Sequence, residues 1–103
     1  METPIRIEIE AGERVVLTWE DRPDTTLSAR RLRAACQCAS CREASGRAAT
    51  DAVLAGERPI RIRESRLVGA YAMNFVFEPD GHGTGIYTFD MLRELGTSRS
   101  RDV

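Results

Sequence analysis

The chain has no lysine, one histidine, one tryptophan and three cysteines among 103 residues, and it has no long apolar run. Each absence excludes something. Without lysine there is no P-loop, whose ammonium must reach the phosphates. One histidine cannot build the two-histidine, one-carboxylate triad of a non-haem iron oxygenase. Three cysteines, an odd number, argue against a pure disulfide framework. No stretch reaches the ~20 apolar residues that span a bilayer. The first thirteen positions carry four glutamates between isoleucines, not a basic region followed by a continuous apolar one, so no signal peptide is expected. With a formal net charge of −1, no strong field attracts nucleic acid or anionic lipid.

What remains is an ordinary globular composition, 42% apolar and 30% charged. All fifteen basic residues are arginine, a choice that suits carboxylate or phosphate recognition but equally a solvated surface. The length suits one domain, read as residues 1–96, with a frayed polar tail at 97–103. Its expected compartment is the cytoplasm, where thiols stay reduced and clustered cysteines more often bind metal than pair.

Periodicity supplies the elements. Ile5, Ile7 and Ile9 alternate with charged residues, and Val15, Leu17 and Trp19 share a face, so two strands form a hairpin about Ala11-Gly12-Glu13. Residues 20–26 are polar, include Pro23, and read as a loop. Ser28 is placed to cap a helix over 29–35, with Leu32, Ala35 and Cys36 facing inward and Arg30, Arg31 and Arg33 facing solvent. Residues 48–56 read as a second short helix or an irregular connection. Ile60 and Ile62 mark a third strand. Tyr71, Met73, Phe75 and Phe77 line one face of the strongest strand, 70–78. Pro79-Asp80-Gly81 is a turn, after which 85–87 pair back. Thr88 caps a last helix whose inner face is Met91, Leu92 and Leu95, with Gly96 as its stop. Strands and helices mixed without βαβ regularity predict an α+β fold: a small, mostly antiparallel sheet with short helices packed on it.

Chemistry concentrates in Cys36-x-Cys38-x-x-Cys41 and the lone His82. Three thiolates and an imidazole form a closed tetrahedral zinc set. Residues two apart on a helix point to different faces, so Cys36 and Cys38 require a turn just after the helix. That knuckle loop would join the helix to the later hairpin. Asp80 is the nearest candidate to hold the other ring nitrogen of His82. Arg33, Arg42 and Arg47 can offset the charge of −1 left by three thiolates and one divalent ion. The same ligands also suit iron or an iron–sulfur site, a redox pair, or plain loop cysteines. With four protein ligands no position stays open for a reactive water, so hydrolytic zinc catalysis is not expected. The glycines of Gly81-His82-Gly83-Thr84-Gly85 suit a hairpin better than a phosphate loop. Tyr71, Phe75 and Phe77 suit core packing better than an RNA-stacking sheet. A Cys–His nucleophile pair would need the same residues and lacks a third orienting group.

Two stretches together resemble a known family. One runs from Leu32-Arg33-Ala34-Ala35-Cys36-Gln37-Cys38-Ala39-Ser40-Cys41 to Gly46. The other starts at Val68-Gly69-Ala70-Tyr71, passes Asp80-Gly81-His82-Gly83-Thr84-Gly85-Ile86-Tyr87 and reaches Leu92-Arg93. The chain resembles the gamma-butyrobetaine hydroxylase-like N-terminal domain family, a domain of unknown function, over nearly its whole length. The resemblance implies a small α+β domain that precedes the catalytic domain of gamma-butyrobetaine and trimethyllysine dioxygenases. It implies zinc on positions matching Cys36, Cys38, Cys41 and His82. Similar domains are attached to P-loop ATPases of the iron–sulfur carrier type, and others stand alone in bacteria. The oxygenase domain of the larger members is missing here, so hydroxylase activity does not carry over and no enzyme is expected; some members lack the cysteines. The expected function is a stand-alone zinc-binding accessory or protein-interaction domain. Its expected partner is an oxygenase-like or iron–sulfur assembly protein, with no nucleic acid and no membrane. A metal or iron–sulfur trafficking factor using the same thiols is the alternative.

Overall fold

Alternating isoleucine and charge produces the first strand, β1 (Arg6–Glu10), with Ile7 and Ile9 half-buried between exposed neighbours. It pairs antiparallel with β2 (Arg14–Thr18), where Val15 and Leu17 are completely buried. The hairpin closes through Ala11 and Gly12 at φ 56° and 70°, the left-handed region that a tight turn of this hand needs. The computed structural model describes residues 3–20 and 22–97. Of the tail expected over 97–103, Thr97 belongs to the last helix and the rest lies outside the described residues.

A third strand, β3 (Thr25–Ser28), pairs with β2 and completes a sheet of order β1-β2-β3. It takes in Thr25 and Thr26, the last two residues of the loop expected over 20–26. Thr25 and Leu27 are buried while Thr26 is exposed, so the strand alternates in burial though not in apolar character. The buried Thr25 hydroxyl is satisfied by Trp19 Nε1, which donates to it at 2.8 Å.

Ser28 then caps α1 (Ala29–Ala34), its hydroxyl accepting the Arg31 amide at 3.0 Å, as the sequence predicts. Two further helices follow, α2 (Ala39–Arg42) and α3 (Ala44–Ala55). The helix expected near 48–56 therefore begins four residues earlier. Gly46 explains how the two helices meet: a Cβ there would lie 1.7 Å from the Ser40 carbonyl oxygen, so only glycine permits the contact.

The second sheet has order β4-β5-β6, all antiparallel: β4 (Arg61–Val68), β5 (Ala72–Glu78) and β6 (Ile86–Thr88). Met73, Phe75 and Phe77 face inward as expected, but Tyr71 does not join them. It sits in the turn before β5 and is 44% exposed. Phe75 packs edge-on against Tyr87 with ring centroids 5.5 Å apart. Thr88 caps α4 (Phe89–Thr97), accepting the Met91 amide at 3.0 Å. Gly96 is not the stop: it lies within α4, where a Cβ would come within 2.4 Å of Thr25 Cγ2, so it allows α4 to lie close on β3.

Two three-stranded antiparallel sheets with short helices make an α+β fold. One core joins them. Val15, Leu17, Trp19, Leu27 and Leu32 from the first half meet Phe75, Phe77, Tyr87, Phe89 and Leu92 from the second. The sheets also touch through backbone: the Ile62 amide donates to the Gly12 carbonyl at 2.7 Å. Among the described residues no helix is long and apolar enough to cross a membrane.

Phe75 is fully buried at the centre of the aromatic cluster. Phe75→Ala should destabilise the domain by about 3–5 kcal/mol, the usual cost of deleting a core ring. Urea unfolding should show the midpoint fall; an unshifted midpoint would remove Phe75 from the stabilising core.

Candidate metal centre

The chain leaves α1 at Ala34, and Ala35 serves as its C-cap. The next turns deliver the sulfurs in sequence. Cys36 follows the cap, Cys38 occupies the N-cap of α2, and Cys41 lies inside α2. The turn after α1 expected for this spacing is therefore present. Gly46 lets α3 press on α2 and so fixes the helical turn that carries Cys41.

His82 arrives from the β5–β6 connection. Its carbonyl accepts the Phe77 amide at 2.8 Å, which anchors the loop on the end of β5. Asn74 holds the far side of the loop, donating to the Gly83 and Gly85 carbonyls at 2.8 and 2.7 Å. The glycines divide the work. Gly81 takes φ 72°, as a turn requires. Gly85 is needed for proximity instead, since a Cβ there would lie 2.6 Å from Cys36 Sγ.

The four candidate donors converge. His82 Nε2 lies 3.2 Å from Cys36 Sγ, 3.6 Å from Cys38 Sγ and 3.4 Å from Cys41 Sγ. All four donor atoms fall within 4.8 Å of one another. A tetrahedral ion about 2.3 Å from each sulfur and about 2.0 Å from nitrogen demands S···N separations of about 3.5 Å. The observed distances therefore suit a metal ion. Cys36 and Cys41 are each 2% exposed, whereas Cys38 and His82 are half-buried at the rim.

The thiols are electrostatically unequal in the metal-free protein. Burial pushes Cys36 up to about 12, and the neighbouring Cys38 and Cys41 sulfurs add to the effect. Burial also opposes the Cys38 thiolate, but hydrogen bonds from the Ser40 and Thr84 hydroxyls and from Cys41 outweigh it and bring Cys38 down to about 5. Tyr87, buried beside Cys36, is pushed above the usual phenol range, first by desolvation and then by that sulfur. Its hydroxyl stays protonated and donates to the Leu32 carbonyl near the end of α1 at 2.6 Å. A pocket this dry does not hold three thiolates unaided, and a metal ion held there would supply the missing positive charge.

Two expectations about arginine need correction. Arg33 does not face solvent: it is 2% exposed. Its NH1 lies 3.8 Å from Cys41 Sγ and donates to Thr50 Oγ1 at 3.0 Å, while Nε and NH2 donate to Asp80 Oδ2 at 3.2 and 2.9 Å. Arg31 is half-buried and donates from Nε and NH2 to the Leu95 carbonyl near the end of α4. Only Arg30 of the three is exposed, and Arg42 and Arg47, proposed as charge partners, are exposed as well. Asp80 is engaged by Arg33 rather than by His82. A signal for Arg33 was available: it precedes Cys36 by three positions, so the two share a helix face. Nothing in the sequence marked Thr50, which is buried with its hydroxyl 3.7 Å from Cys41 Sγ.

Fold and site together define a small α+β domain with a Cys3His group able to hold a metal ion. The model of the family described as gamma-butyrobetaine hydroxylase-like, N-terminal, matches residues 7–93. The chain belongs to that family. Among solved structures it is similar to a protein of unknown function of the DUF971 family from Acidithiobacillus ferrooxidans ATCC 23270, at 27% identity and TM-score 0.70. That match covers 93% of this chain and 94% of the other. Two solution NMR structures share the fold. One, at 23% identity and TM-score 0.67, covers 94% of this chain and 70% of its own. The other, at 25% identity and TM-score 0.65, covers 94% and 74%. No curated protein matches.

Two outcomes follow for the reduced, metal-free protein. At pH 7 Cys38 should alkylate first and Cys36 last, since the former is a thiolate and the latter a buried thiol. Lowering the pH through about 5 should quench Cys38 reactivity. Peptide mapping after timed labelling reads both, and uniform labelling would contradict them. Gly85→Ala should displace Cys36 and weaken metal uptake while the far-ultraviolet circular dichroism stays native. Unaltered uptake by that variant would mean the loop tolerates the intrusion.

Proposed function

We propose that this protein is a zinc-stabilised accessory domain that binds another protein and is not itself an enzyme. The convergence of three sulfurs and one imidazole within 4.8 Å carries this reading. Cys36, Cys38, Cys41 and His82 would hold the ion. Zinc suits a set of thiolates and imidazole with tetrahedral spacing. Bound there, it supplies positive charge to a pocket that otherwise disfavours the thiolate of Cys36. The ligands come from segments far apart in sequence, so one ion fastens the end of α1 and the whole of α2 to the β5–β6 connection. Structural zinc in small peptides contributes about 10–16 kcal/mol of apparent binding energy, comparable with the ~5–15 kcal/mol that holds a whole domain together.

Four protein ligands leave no place for a reactive water, which supports a structural ion over a hydrolytic one. The family is named for a domain that sits beside hydroxylases, which supports a role alongside a partner. By that analogy the partner is an oxygenase-like or iron–sulfur assembly protein. The reduced thiols suit a cytoplasmic setting.

One observation favours a second reading, a carrier of metal or an iron–sulfur cluster. Cys38 lies at the rim beside Ser40, half-exposed and within reach of an incoming thiol. Exchange kinetics separate the two readings. Protein purified under reducing conditions without added metal should contain close to one zinc per chain. It should lose that zinc to mild chelators over hours, with its melting temperature falling as the ion leaves. Iron with visible absorbance, or zinc surrendered within seconds with no change in melting, would favour the carrier.

A further inference from the structure

The family resemblance and the sequence spacing concern only the four ligands. A further group, the buried Arg33, contacts one of these residues, Cys41, and the turn that leads to another, His82. It sits on α1, three residues before Cys36. Its NH1 edge meets Cys41 Sγ at 3.8 Å and Thr50 Oγ1 at 3.0 Å. Its Nε–NH2 edge meets Asp80 Oδ2 at 3.2 and 2.9 Å, and Asp80 is two residues from His82 in the same turn. The guanidinium is 2% exposed and the Asp80 side chain 23%.

Such a group has a cost. Removing a guanidinium from water is unfavourable unless every edge finds a partner. If stability alone were the need, an apolar side chain could fill the space about as well. The placement of the partners suggests the reason for the charge. One edge faces a sulfur from the cysteine segment, and the other holds the turn that presents the imidazole. A flexible ammonium could contact one of these but not both, whereas a planar fork with donors on two edges contacts both at once.

We infer that Arg33 is a positioning residue for the metal centre: it holds the His82 turn against the cysteine segment before the ion arrives, and it donates to the Cys41 thiolate once the ion is bound. This rests on the reading of Cys36, Cys38, Cys41 and His82 as ligands. Arg33 acts through two of them and touches no metal itself. Thr50 fixes the guanidinium by accepting from NH1, which keeps that edge directed at Cys41.

Cobalt(II) is the probe, since its thiolate charge-transfer band reports the electron density on the sulfurs. Its titration against a chromophoric chelator gives affinity. Arg33→Met, Arg33→Lys, Asp80→Asn and the Arg33→Met/Asp80→Asn double variant are compared with wild type, each checked for native circular dichroism. Arg33→Met and Asp80→Asn should each weaken cobalt affinity by about 10–100-fold, the usual effect of losing a partner of a metal ligand. The double variant should be little worse than Arg33→Met alone, since both changes break one clamp. Arg33→Met should also shift the charge-transfer band, because Cys41 loses its donor. Asp80→Asn should shift it less. Arg33→Lys should restore part of the charge but not the affinity.

Should Arg33→Met not fold, Asp80→Asn carries the test, because its side chain lies near the surface and amide for carboxylate preserves shape. Folded Asp80→Asn or Arg33→Met protein that binds cobalt as tightly as wild type, with an unshifted band, overturns the clamp and leaves the metal centre standing. Wild-type protein that takes up neither cobalt nor zinc overturns the metal reading, and the clamp with it.

Discussion

Three sulfurs packed around one imidazole, with two of the sulfurs out of reach of water, is the constraint on which the surrounding structure depends. As thiols the sulfurs are merely polarizable filler. As thiolates in a dry pocket they repel one another and need a cation. The pocket is tuned between these states. Desolvation holds Cys36 in its thiol form, while hydroxyls from Ser40 and Thr84 draw Cys38 to its thiolate. A metal ion held there would remove the conflict, because it would replace protons with charge that all the donors share. The nearest fixed cation, Arg33, has its own charge divided between Cys41 and Asp80, so it moderates the problem without solving it.

The rest of the fold makes that crowding possible. Side chains must be absent where segments cross. Gly85 leaves room for the Cys36 sulfur, Gly46 for the Ser40 carbonyl, and Gly96 for Thr25. In each case it is the missing Cβ, rather than a positive φ, that matters. Polar atoms buried by the same crossings find partners in the protein. Tyr87 donates to the Leu32 carbonyl, Arg31 to the Leu95 carbonyl and Asn74 to two loop carbonyls. These bonds join α1 to β6 and α4, and the β5–β6 connection to β5, so the site stands on elements that the core has already fixed.

Much of this was legible in the residue order, and the exceptions have a common cause. Ser28 and Thr88 announced their helices because capping is local chemistry. Alternating isoleucines, and Met73, Phe75 and Phe77, announced strands because a sheet face is read with period two. The cysteine spacing and the solitary histidine announced the cluster of donors that could hold a metal ion. What went unread depends on residues distant in sequence. Thr25 belongs to a strand because Trp19 satisfies its hydroxyl and Gly96 lets a helix cover it. Tyr71 is aromatic and in register with the core face, yet the strand begins one residue later, so it stays in the turn. Arg33 carries a charge that composition assigns to solvent, but the helix end bearing it is roofed by the turn of Asp80.

That pattern bears on how the site differs from a simple zinc knuckle. A knuckle on one short segment can close around an ion with little help from the remaining chain. Here the fourth donor comes from the distant β5–β6 connection, and that loop is held by Asn74, by the Phe77 amide and, through Asp80, by Arg33. Much of the ordering entropy of that loop is therefore lost in folding rather than in metal binding. A preformed fourth ligand favours tight, slow exchange, because releasing the ion does not free the loop to move away. Among the three sulfurs, Cys38 is the least enclosed by the fold, half-exposed at the N-cap of a helix of one turn. For any ion held there, the physical asymmetry of the pocket would direct exchange through Cys38, since Cys36 and Cys41 are buried in the core and Arg33 lies against Cys41.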